Sequence, residues 1–491
     1  MKPWSFYNTL FHSEKSGFFL YNALSGFMLE LDKEHYETAA GLRDGRECFE
    51  PQKDSEFPAF LEEHGFLAQR DDELLQLMQL QYDRNAACFN TSTLGLTICP
   101  TLSCNFCCSY CFEHSQSDPE IMSENTMDAL ISFIKKHKEA KSLTVNWYGG
   151  EPTLAFEVVT GLTARFRELY PDFDNAGLIT NAYLLDGKWI DELANLKITT
   201  IQITLDGSEA THNSRRMLTG GGPTYRNILD NIDMLMNSNW NGRVAIRVNV
   251  DKYNRDEFAG LRKELLERYA GKNLVVRPGY LTIPLSHPYG SHSGLSVSEW
   301  KDFLFDGYKT SGIVPHGGNF PQSGAVNTCT ATSRFGYVIG PRGEMYKCLE
   351  DVGNGKMVIG SVYDEEAVRN KDIVARYATV ADPFNDKTCM ECSCFPVCGG
   401  GCVNKRMRMK QFGEEGLECC SPVRYSLLQD LESYLDQRRT KEICDALLGK
   451  KEVPDMKQGY RLVHPEQHRH RGVGNPIAKQ GSYAGACVPI S

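Results

Sequence analysis

The stretch CPTLSCNFCCSYCFEH, residues 99–114, decides how the chain is interpreted, because it holds five cysteines in its first thirteen positions. Thiolates are soft ligands that suit zinc or iron–sulfur clusters. Cys104, Cys108 and Cys111 form a CxxxCxxC pattern. Three cysteines on one loop can hold three irons of a four-iron cluster and leave the fourth iron open to a ligand. A zinc loop that takes its fourth ligand from elsewhere is the alternative.

The whole chain has a soluble, globular composition. Its 491 residues predict roughly two to four domains. Eighteen cysteines, in a chain whose start lacks a secretory signal pattern, favour metal binding or catalysis in a reducing cytoplasm over disulfides. The net charge of -10 argues against nucleic acid as a partner, and the lack of a long apolar run argues against a membrane span.

From residue 94 onward, strand-like and helix-like segments alternate. The six strand candidates are LGLTICPT, SLTVNWYGG, AGLITNA, TTIQITLDG, VAIRVNVD and NLVVRPGYLT. Repeated βα units predict an α/β fold in which a parallel sheet curves into a partial (β/α)6 barrel. Function in such a barrel lies at the carboxyl ends of the strands. The motifs CPTLSC, GGEP, TNA and LDG all fall at these ends, so we expect them to meet.

The CxxxCxxC loop, the aromatic residue before its last cysteine and the GGEP motif together resemble the radical S-adenosylmethionine (SAM) superfamily. The resemblance spans residues 94–312. It implies that Cys104, Cys108 and Cys111 hold a [4Fe-4S] cluster and that SAM chelates the open iron. It further implies cleavage of SAM to methionine and a 5′-deoxyadenosyl radical, which abstracts a hydrogen atom from the substrate.

The family's SAM contacts carry over one by one. Tyr110 is expected near the adenine, and the GGEP loop near the SAM amino group, although Glu151 is also a candidate for holding that loop together. Thr204 and Arg216 match the positions near the SAM carboxylate, whereas Asn181 stands in TNA where TNG is usual. Ordinary strand-end polarity is the alternative for Thr204 and Asn249. The predicted SAM-binding set is Tyr110, Gly149, Gly150, Glu151, Pro152, Asn181, Thr204, Arg216 and Asn249. The family spacing does not need Cys99 or Cys107, which are expected to be packing thiols.

A second cysteine group follows the barrel. It contains a CX13GX4C pattern and then CX2CX5CX3C, with a CC pair after it. Downstream of a radical SAM domain, this resembles the SPASM extension, which implies two auxiliary four-iron clusters; two zinc knuckles are the alternative. The implied outer ligands are Cys389, Cys392, Cys398 and Cys420, the last fitting the spacing better than Cys419. The implied inner ligands are Cys329, Cys348 and Cys402, with an open iron, a water or the spare thiol of Cys394 as the fourth.

The first 88 residues are predicted to form a hairpin with its turn at NALSG, followed by three helices. They resemble the winged-helix-like domain with which peptide maturases recognise a leader, a fold that offers a sheet edge for strand addition. The predicted organisation is therefore a recognition domain (1–88), a radical SAM barrel (89–312), a SPASM domain (313–449) and a flexible tail (450–491).

The resemblance implies a maturase that crosslinks a ribosomally made peptide, with a cysteine thioether as the expected bond. Its partners would be a leader-bearing precursor peptide and a flavodoxin- or ferredoxin-type electron donor. The alternative is an anaerobic sulfatase-maturing enzyme, which oxidises Cys or Ser to formylglycine. That branch commonly has a basic Asp where Leu349 stands here. Glu350 and Asp351 are near that position, and solvated charges without a role are the alternative for them. An iron–sulfur electron carrier would not need the SAM motifs, and no catalytic acid or base is assigned.

The tail allows one more hypothesis. GNPIAKQGSYAGACVPIS is rich in small residues and has a lone thiol, Cys487, as a modifiable core peptide does. The alternatives are that Cys487 is a cluster ligand or an incidental cysteine of a flexible tail. His464, His468 and His470 are expected to be solvated rather than to bind metal.

Overall fold

The computed structural model describes residues 2–46, 56–111, 120–281, 293–311, 320–324, 328–447 and 459–463. The strands are β1 (Asn8–Ser13), β2 (Gly17–Asn22), β3 (Met28–Leu31), β4 (Thr93–Ile98), β5 (Phe106–Cys108), β6 (Ser142–Trp147), β7 (Ala176–Thr180), β8 (Ile198–Thr204), β9 (Arg216–Leu218), β10 (Arg243–Val250), β11 (Leu274–Tyr280), β12 (Gly336–Ile339), β13 (Glu344–Tyr346), β14 (Gly360–Ser361) and β15 (Tyr460–Leu462). The helices are α1 (Lys33–Arg43), α2 (Glu56–Glu63), α3 (Arg70–Cys88), α4 (Glu124–Lys136), α5 (Phe156–Leu169), α6 (Gly187–Glu192), α7 (Glu209–Arg215), α8 (Tyr225–Asn237), α9 (Phe258–Arg268), α10 (Val297–Ser311), α11 (Lys371–Ala375), α12 (Lys387–Met390), α13 (Phe395–Cys398), α14 (Val403–Phe412) and α15 (Val423–Leu447).

The central sheet has the order β11-β10-β8-β7-β6-β4-β12-β13-β14. All six strands predicted for the barrel are present, and neighbours among them pair in parallel. Their side chains alternate in burial: along β10, Val244, Ile246 and Val248 are fully buried in the core, whereas Arg243 and Arg247 on the other face are only partly covered. The predicted partial barrel is confirmed, with a core between sheet and helices and a polar concave face.

The cysteine-rich segment continues this sheet. The predicted hairpin around GPRG is β12 and β13, which pair antiparallel. Strand β12 also lies parallel to β4, with Gly336 opposite Gly95 and Ile339 opposite Ile98. The sequence pattern did not indicate this pairing, because an apolar segment such as GYVI does not specify its neighbour.

A second, four-stranded sheet has the order β1-β2-β3-β15. The predicted hairpin is β2 and β3, and its turn is stabilised by the Asn22 side chain, whose Oδ1 accepts from Ser25 N at 2.7 Å. Helices α1, α2 and α3 fall where the sequence predicts them, whereas β1 was not predicted.

Strand β15 corrects part of the tail prediction. The sequence predicts that residues 460–462 belong to a flexible tail, but they pair antiparallel with β3. The reason is tertiary: the Tyr460 ring is 7% exposed and packs against aromatic side chains of the first 88 residues. The rest of the predicted tail, with Cys487 and the three histidines, lies outside the described residues. None of the described helices is long and apolar enough to cross a membrane.

Candidate active site

The first cysteine loop lies at the carboxyl end of β4 and is fixed by a short two-stranded sheet. Strand β5 pairs antiparallel with β9, which puts Cys108 opposite Arg216. The Cys104 thiol accepts a hydrogen bond from the Phe106 amide at 3.4 Å. Burial raises the pKa of Cys104 to about 12 and also raises that of Cys108, while Arg216 lowers the pKa of Cys108. Such thiols become thiolates readily only when a metal centre binds them.

The GGEP loop packs directly on the cysteine loop. A Cβ at Gly149 would lie 2.3 Å from Thr101 O, and one at Gly150 would lie 2.3 Å from Ser103 O. Gly149 also has φ +116°, which disfavours other residues. The Glu151 amide donates to Ser103 O at 2.8 Å. The two glycines are therefore needed for the backbones of the two motifs to touch.

Glu151 joins two loops of the barrel. Its buried carboxylate accepts from the Thr153 amide at 3.0 Å, the Thr180 hydroxyl at 2.6 Å and the Asn181 amide at 2.7 Å. Burial raises the pKa of Glu151, and these hydrogen bonds lower it. The contacts favour the alternative raised from the sequence, in which Glu151 holds its loop in place. Pro152 is buried at the start of the short turn that follows.

Asn181 extends this connection to the cysteine loop. Its Nδ2 donates to Asn105 Oδ1 at 2.8 Å and lies 3.9 Å from Cys104 Sγ. The first three motifs predicted to meet at the strand ends, CPTLSC, GGEP and TNA, are thus joined by hydrogen bonds.

Tyr110 sits in a polar network rather than in a purely apolar pocket. Arg216 Nη1 donates to its hydroxyl at 2.9 Å, Asn249 Nδ2 donates to it at 3.1 Å, and the hydroxyl donates to Asp206. Burial raises the pKa of Tyr110. The structure therefore brings together three of the predicted SAM-binding residues, Tyr110, Arg216 and Asn249. Thr204 ends β8 beside them, opposite Arg247 of β10.

Asp206 and Arg215 are important residues that the sequence analysis did not single out. Asp206 is fully buried and accepts from the Asn249 amide at 2.9 Å, in addition to the Tyr110 hydroxyl. Arg215 lies 3.7 Å from Asp206 and 3.1 Å from Asp251. The available signals were the LDG motif itself and the doubled arginine of THNSRR, where only the second arginine matched the family position. The buried Asp206 carboxylate helps to orient the residues expected around SAM.

Several buried polar atoms of the site leave room for a bound group. Arg216 Nε, Asn105 Nδ2 and Ser109 Oγ are buried and have no hydrogen-bond partner among the described residues. All three belong to the cysteine loop or to its partner strand β9. An unsatisfied buried donor is costly unless a ligand completes it. The atoms fit an anionic cluster and the carboxylate of SAM, which a guanidinium binds well.

The spacing of the sulfur atoms bears on the zinc alternative. Ligand sulfurs on one zinc ion lie about 3.8 Å apart, given a tetrahedral site with Zn–S near 2.3 Å. Within the described part of the chain, the only three His, Cys, Asp or Glu ligand atoms that all lie within 4.8 Å of one another are those of Glu418, Cys419 and Cys420. Neither the first cysteine loop nor the inner set has the compact arrangement of a zinc site, whereas a four-iron cluster separates its thiolates onto different irons.

The predicted inner ligands share one cavity. Cys329, Cys348 and Cys402 line a space of about 230 Å³ that also touches Tyr280, the last residue of barrel strand β11. Burial raises the pKa of both Cys348 and Cys402, and the nearby Cys329 raises each further. The geometry fits a cluster held by these three thiols next to the barrel mouth.

The predicted outer ligands also converge. Cys420 and Cys389 both raise the pKa of Cys398, which burial raises most. Arg424 Nη1 donates to Cys420 Sγ at 3.0 Å, and the buried Arg406 donates through Nη2 to Cys389 Sγ at 3.2 Å. Neighbouring Cys419 and Arg424 lower the pKa of Cys420 to about 7. These contacts favour Cys420 over Cys419 as the ligand.

The alternative in which Cys394 completes the inner cluster is not supported. Cys394 does not line the inner cavity; it lies beside Cys392, with which it shares a hydrogen bond, in the outer group. The thiol near the inner set is instead Cys88, at the end of α3, which contacts the Thr332 hydroxyl that in turn accepts from the Cys329 amide at 3.1 Å.

Asp351 is 3% exposed, so the alternative in which it is only a solvated charge is not supported. It accepts from the Tyr377 hydroxyl at 2.5 Å and from Asn404 Nδ2 at 3.0 Å. Burial raises its pKa to about 7. Glu350 lines the inner cavity.

Comparison with known proteins gives two results that bear on this site. Residues 98–265 match the radical SAM superfamily. A cysteine-type anaerobic sulfatase-maturating enzyme from Clostridium perfringens is 25% identical over 349 residues, a match that covers 63% of this chain and 88% of the relative.

The fold is shared with a solved structure of a sulfatase-maturating enzyme. Native anSMEcpe with bound AdoMet and Cp18Cys peptide has a TM-score of 0.51 at 20% identity, covering 72% of this chain and 99% of that chain. Streptococcus suis SuiB bound to the precursor peptide SuiA has a TM-score of 0.48 at 16% identity. This match covers 82% of this chain and 96% of that chain.

Proposed function

We propose that this chain is a peptide maturase that crosslinks a ribosomally made peptide through a cysteine thioether. The match of residues 98–265 to the radical SAM superfamily supports the proposal. The observation that carries the proposal is the cavity lined by Cys329, Cys348 and Cys402 beside the barrel strand β11. A cluster held there by only these three protein thiols would have a free position. A substrate thiolate, which is a soft ligand, suits that position.

The chemistry balances without a further oxidant. When bound, SAM would supply the 5′-deoxyadenosyl radical for abstraction of a hydrogen atom from a substrate carbon. The substrate cysteine would lose its thiol proton as the carbon–sulfur bond forms. The one electron needed to cleave SAM would be balanced by the one electron that an auxiliary cluster would take up from the product. The peptide loses two hydrogens, and the products are methionine and 5′-deoxyadenosine.

The residues of this chain have separate tasks in that scheme. Arg216 and Asn249 would bind and orient SAM, with Asp206 holding them through Tyr110. The GGEP loop would seat the SAM amino group against the cysteine loop. A flavodoxin- or ferredoxin-type protein is the proposed electron donor.

The second candidate is formation of formylglycine. It is favoured by the clostridial sulfatase-maturating relative, which this chain matches over 88% of that protein's length. In this reaction a substrate cysteine loses two hydrogens to give a thioaldehyde, and water then replaces the sulfur, which leaves as hydrogen sulfide. Leu349, at the position where that branch commonly has a basic Asp, counts against it.

The test uses synthetic peptides made from any short reading frames that flank the gene. The reconstituted enzyme is incubated anaerobically with each peptide, SAM and a reductant, and the intact mass is taken before and after thiol alkylation. Loss of two hydrogens together with loss of one alkylation site is the expected result. An unchanged peptide, alongside conversion of a sulfatase-type peptide to an aldehyde, would establish the second candidate instead. A reaction without SAM is the control.

A further inference from the structure

Lys347 is a buried cation beside the inner thiols, and the proposed reaction gives it no task. It directly precedes Cys348, is 2% exposed and lines the cavity of the inner ligands. Its ammonium donates to Ser333 O and to Gly336 O, each at 2.6 Å. Among the described residues, the groups whose charge acts on this ammonium are thiols and not carboxylates. A buried charge is costly unless an opposite charge balances it.

The contacts of Lys347 leave one of its donors for the inner site. An ammonium has three N–H donors, and the two carbonyl oxygens take two of them. The Tyr337 ring covers another side, with its centroid 5.0 Å from Lys347 Nζ. Burial lowers the pKa of Lys347 to about 7, whereas Cys329 and Cys88 raise it. Both thiols therefore lie close enough for negative charge on them to stabilise the ammonium.

We propose that Lys347 is the counter-charge of the inner cluster and that its third N–H donates to a sulfur of that cluster, which raises the reduction potential there. This inference rests on the part of the proposed function that assigns a cluster to Cys329, Cys348 and Cys402. Positive charge and hydrogen bonds at cluster sulfurs favour the reduced, more negative form. A raised potential suits a cluster that has to take up an electron from the crosslinked product.

The alternative is that Lys347 only ties two backbone segments together. Its hydrogen bonds to Ser333 O and Gly336 O, which lie between Cys329 and strand β12, would serve that purpose without any effect on a cluster. Two substitutions separate the possibilities. Lys347→Gln keeps an amide donor for the carbonyls and removes the charge, whereas Lys347→Met removes both the donor and the charge.

The test is a redox titration of the reconstituted enzyme followed by electron paramagnetic resonance, with iron content to count the clusters. We expect one auxiliary potential to fall in both Lys347→Gln and Lys347→Met. At a fixed potential the ratio of reduced to oxidised cluster should fall about tenfold or more, and tenfold corresponds to about 59 mV for one electron. The matched control is Lys356→Met, which removes an exposed lysine of the same segment and should leave every potential unchanged.

A measurement on the natural protein covers the case in which both variants lose the cluster. The enzyme is produced with lysine labelled with nitrogen-15, reduced without SAM, and studied by pulsed electron paramagnetic resonance. We expect magnetic coupling between a lysine nitrogen and an auxiliary cluster, and loss of this coupling in any Lys347→Gln protein that keeps its iron. No coupling in the natural protein, or the same coupling in Lys347→Gln, would overturn the hydrogen bond from Lys347.

The outcomes separate this inference from the proposed function. Unchanged potentials in folded, iron-replete Lys347→Gln and Lys347→Met would overturn the counter-charge and leave the proposed function standing. A lower potential in Lys347→Met alone would also overturn it, because lost backbone contacts and not lost charge would then be the cause. The expected shift without any crosslinked peptide would overturn the proposed function alone. Iron sufficient for only two clusters in the natural protein, with no cluster on the inner thiols, would overturn both.

Discussion

Cys107 and Cys108 are adjacent residues with different expected roles. Both lie in β5, but Cys108 stands opposite Arg216 in the site, whereas the family spacing gives Cys107 no ligand role. We predict that Cys108→Ala removes about a third of the iron, that of one of the three expected clusters. It should lower 5′-deoxyadenosine formation at least about 100-fold, because loss of a ligand should exceed the effect of losing an outer-shell partner. The matched control, Cys107→Ala, should retain both. Equal losses of iron and of 5′-deoxyadenosine formation in the two variants would indicate that the assignment of Cys108 as the ligand and Cys107 as a non-ligand is wrong.

Arg424 offers a way to examine the outer cluster without removing a ligand. Its guanidinium donates to Cys420 Sγ at 3.0 Å, and hydrogen bonds and positive charge at cluster sulfurs raise the reduction potential. Arg424→Gln should therefore lower the potential of one auxiliary cluster by on the order of tens of millivolts. A redox titration followed by electron paramagnetic resonance measures this.

The control for that titration is Arg369→Gln. Arg369 is an exposed arginine of the same region that pairs with Asp364 instead of a thiol. Its replacement should leave all potentials unchanged. A shift of equal size in both variants would mean that general surface charge, and not the contact with Cys420, sets the reduction potential of the cluster.

The GGEP loop and the cysteine loop pack against each other through their backbones. A methyl group at Gly150 would overlap Ser103 O and Leu102 O, which are backbone atoms that cannot rotate away. Gly150→Ala should push the loops apart and abolish detectable SAM binding, measured by isothermal titration of the reconstituted enzyme. Gly260→Ala in α9, where a Cβ meets nothing within 4 Å, should keep SAM binding and stabilise the fold by about 0.5–1 kcal/mol.

Elements with their own periodicity could be predicted from the sequence, and elements made by distant contacts could not. The barrel strands were predictable because apolar residues alternate along them and helices separate them. Strand β5 has only three residues and exists through its pairing with β9, which lies more than a hundred positions away. Strand β15 exists because β3 offers an edge and Phe57 offers a pocket. The strand propensity of three residues does not indicate such pairing with a distant segment.

The same reasoning applies to the site. The position of each motif directly after a predicted strand was enough to predict that CPTLSC, GGEP and TNA meet, because parallel strands bring their carboxyl ends together. It did not indicate Asp206 or Arg215, since a buried carboxylate between two arginines is a property of packing. Nor could spacing show that Cys88 approaches the inner set while Cys394 does not.

At the scale of the whole molecule, the first 88 residues and the cysteine-rich segment share a hydrophobic core. Tyr7, Phe19 and Leu77 pack in one cluster with Phe395 and Leu431. Tyr21 donates through its hydroxyl to Pro321 O at 2.5 Å. The predicted boundary between a recognition domain and a SPASM domain therefore runs through one continuous hydrophobic core. A substitution that destabilises the first 88 residues should therefore also affect the clusters expected in the cysteine-rich segment.

The buried ion pair between Arg84 and Asp382 tests that coupling. Arg84 of α3 lies 3.0 Å from Asp382, just before the outer cysteine group, and both side chains are almost fully buried. Removing one partner leaves an unpaired buried charge, so Arg84→Met should cost about 3–5 kcal/mol. Urea unfolding followed by cluster absorbance should show a lower midpoint.

The double variant Arg84→Met, Asp382→Asn decides between loss of charge pairing and loss of packing. The change Asp382→Asn keeps a side-chain oxygen to accept from the Phe384 amide, as the Asp382 carboxylate does at 3.0 Å, while it removes the unpaired charge. Because replacing a whole buried ion pair is often nearly neutral, most of the lost stability should return. If the double variant is as unstable as the single one, the contribution of Arg84 is its packing between the two regions. If the single variant unfolds in the first 88 residues while the auxiliary clusters keep their absorbance, the two regions are not coupled.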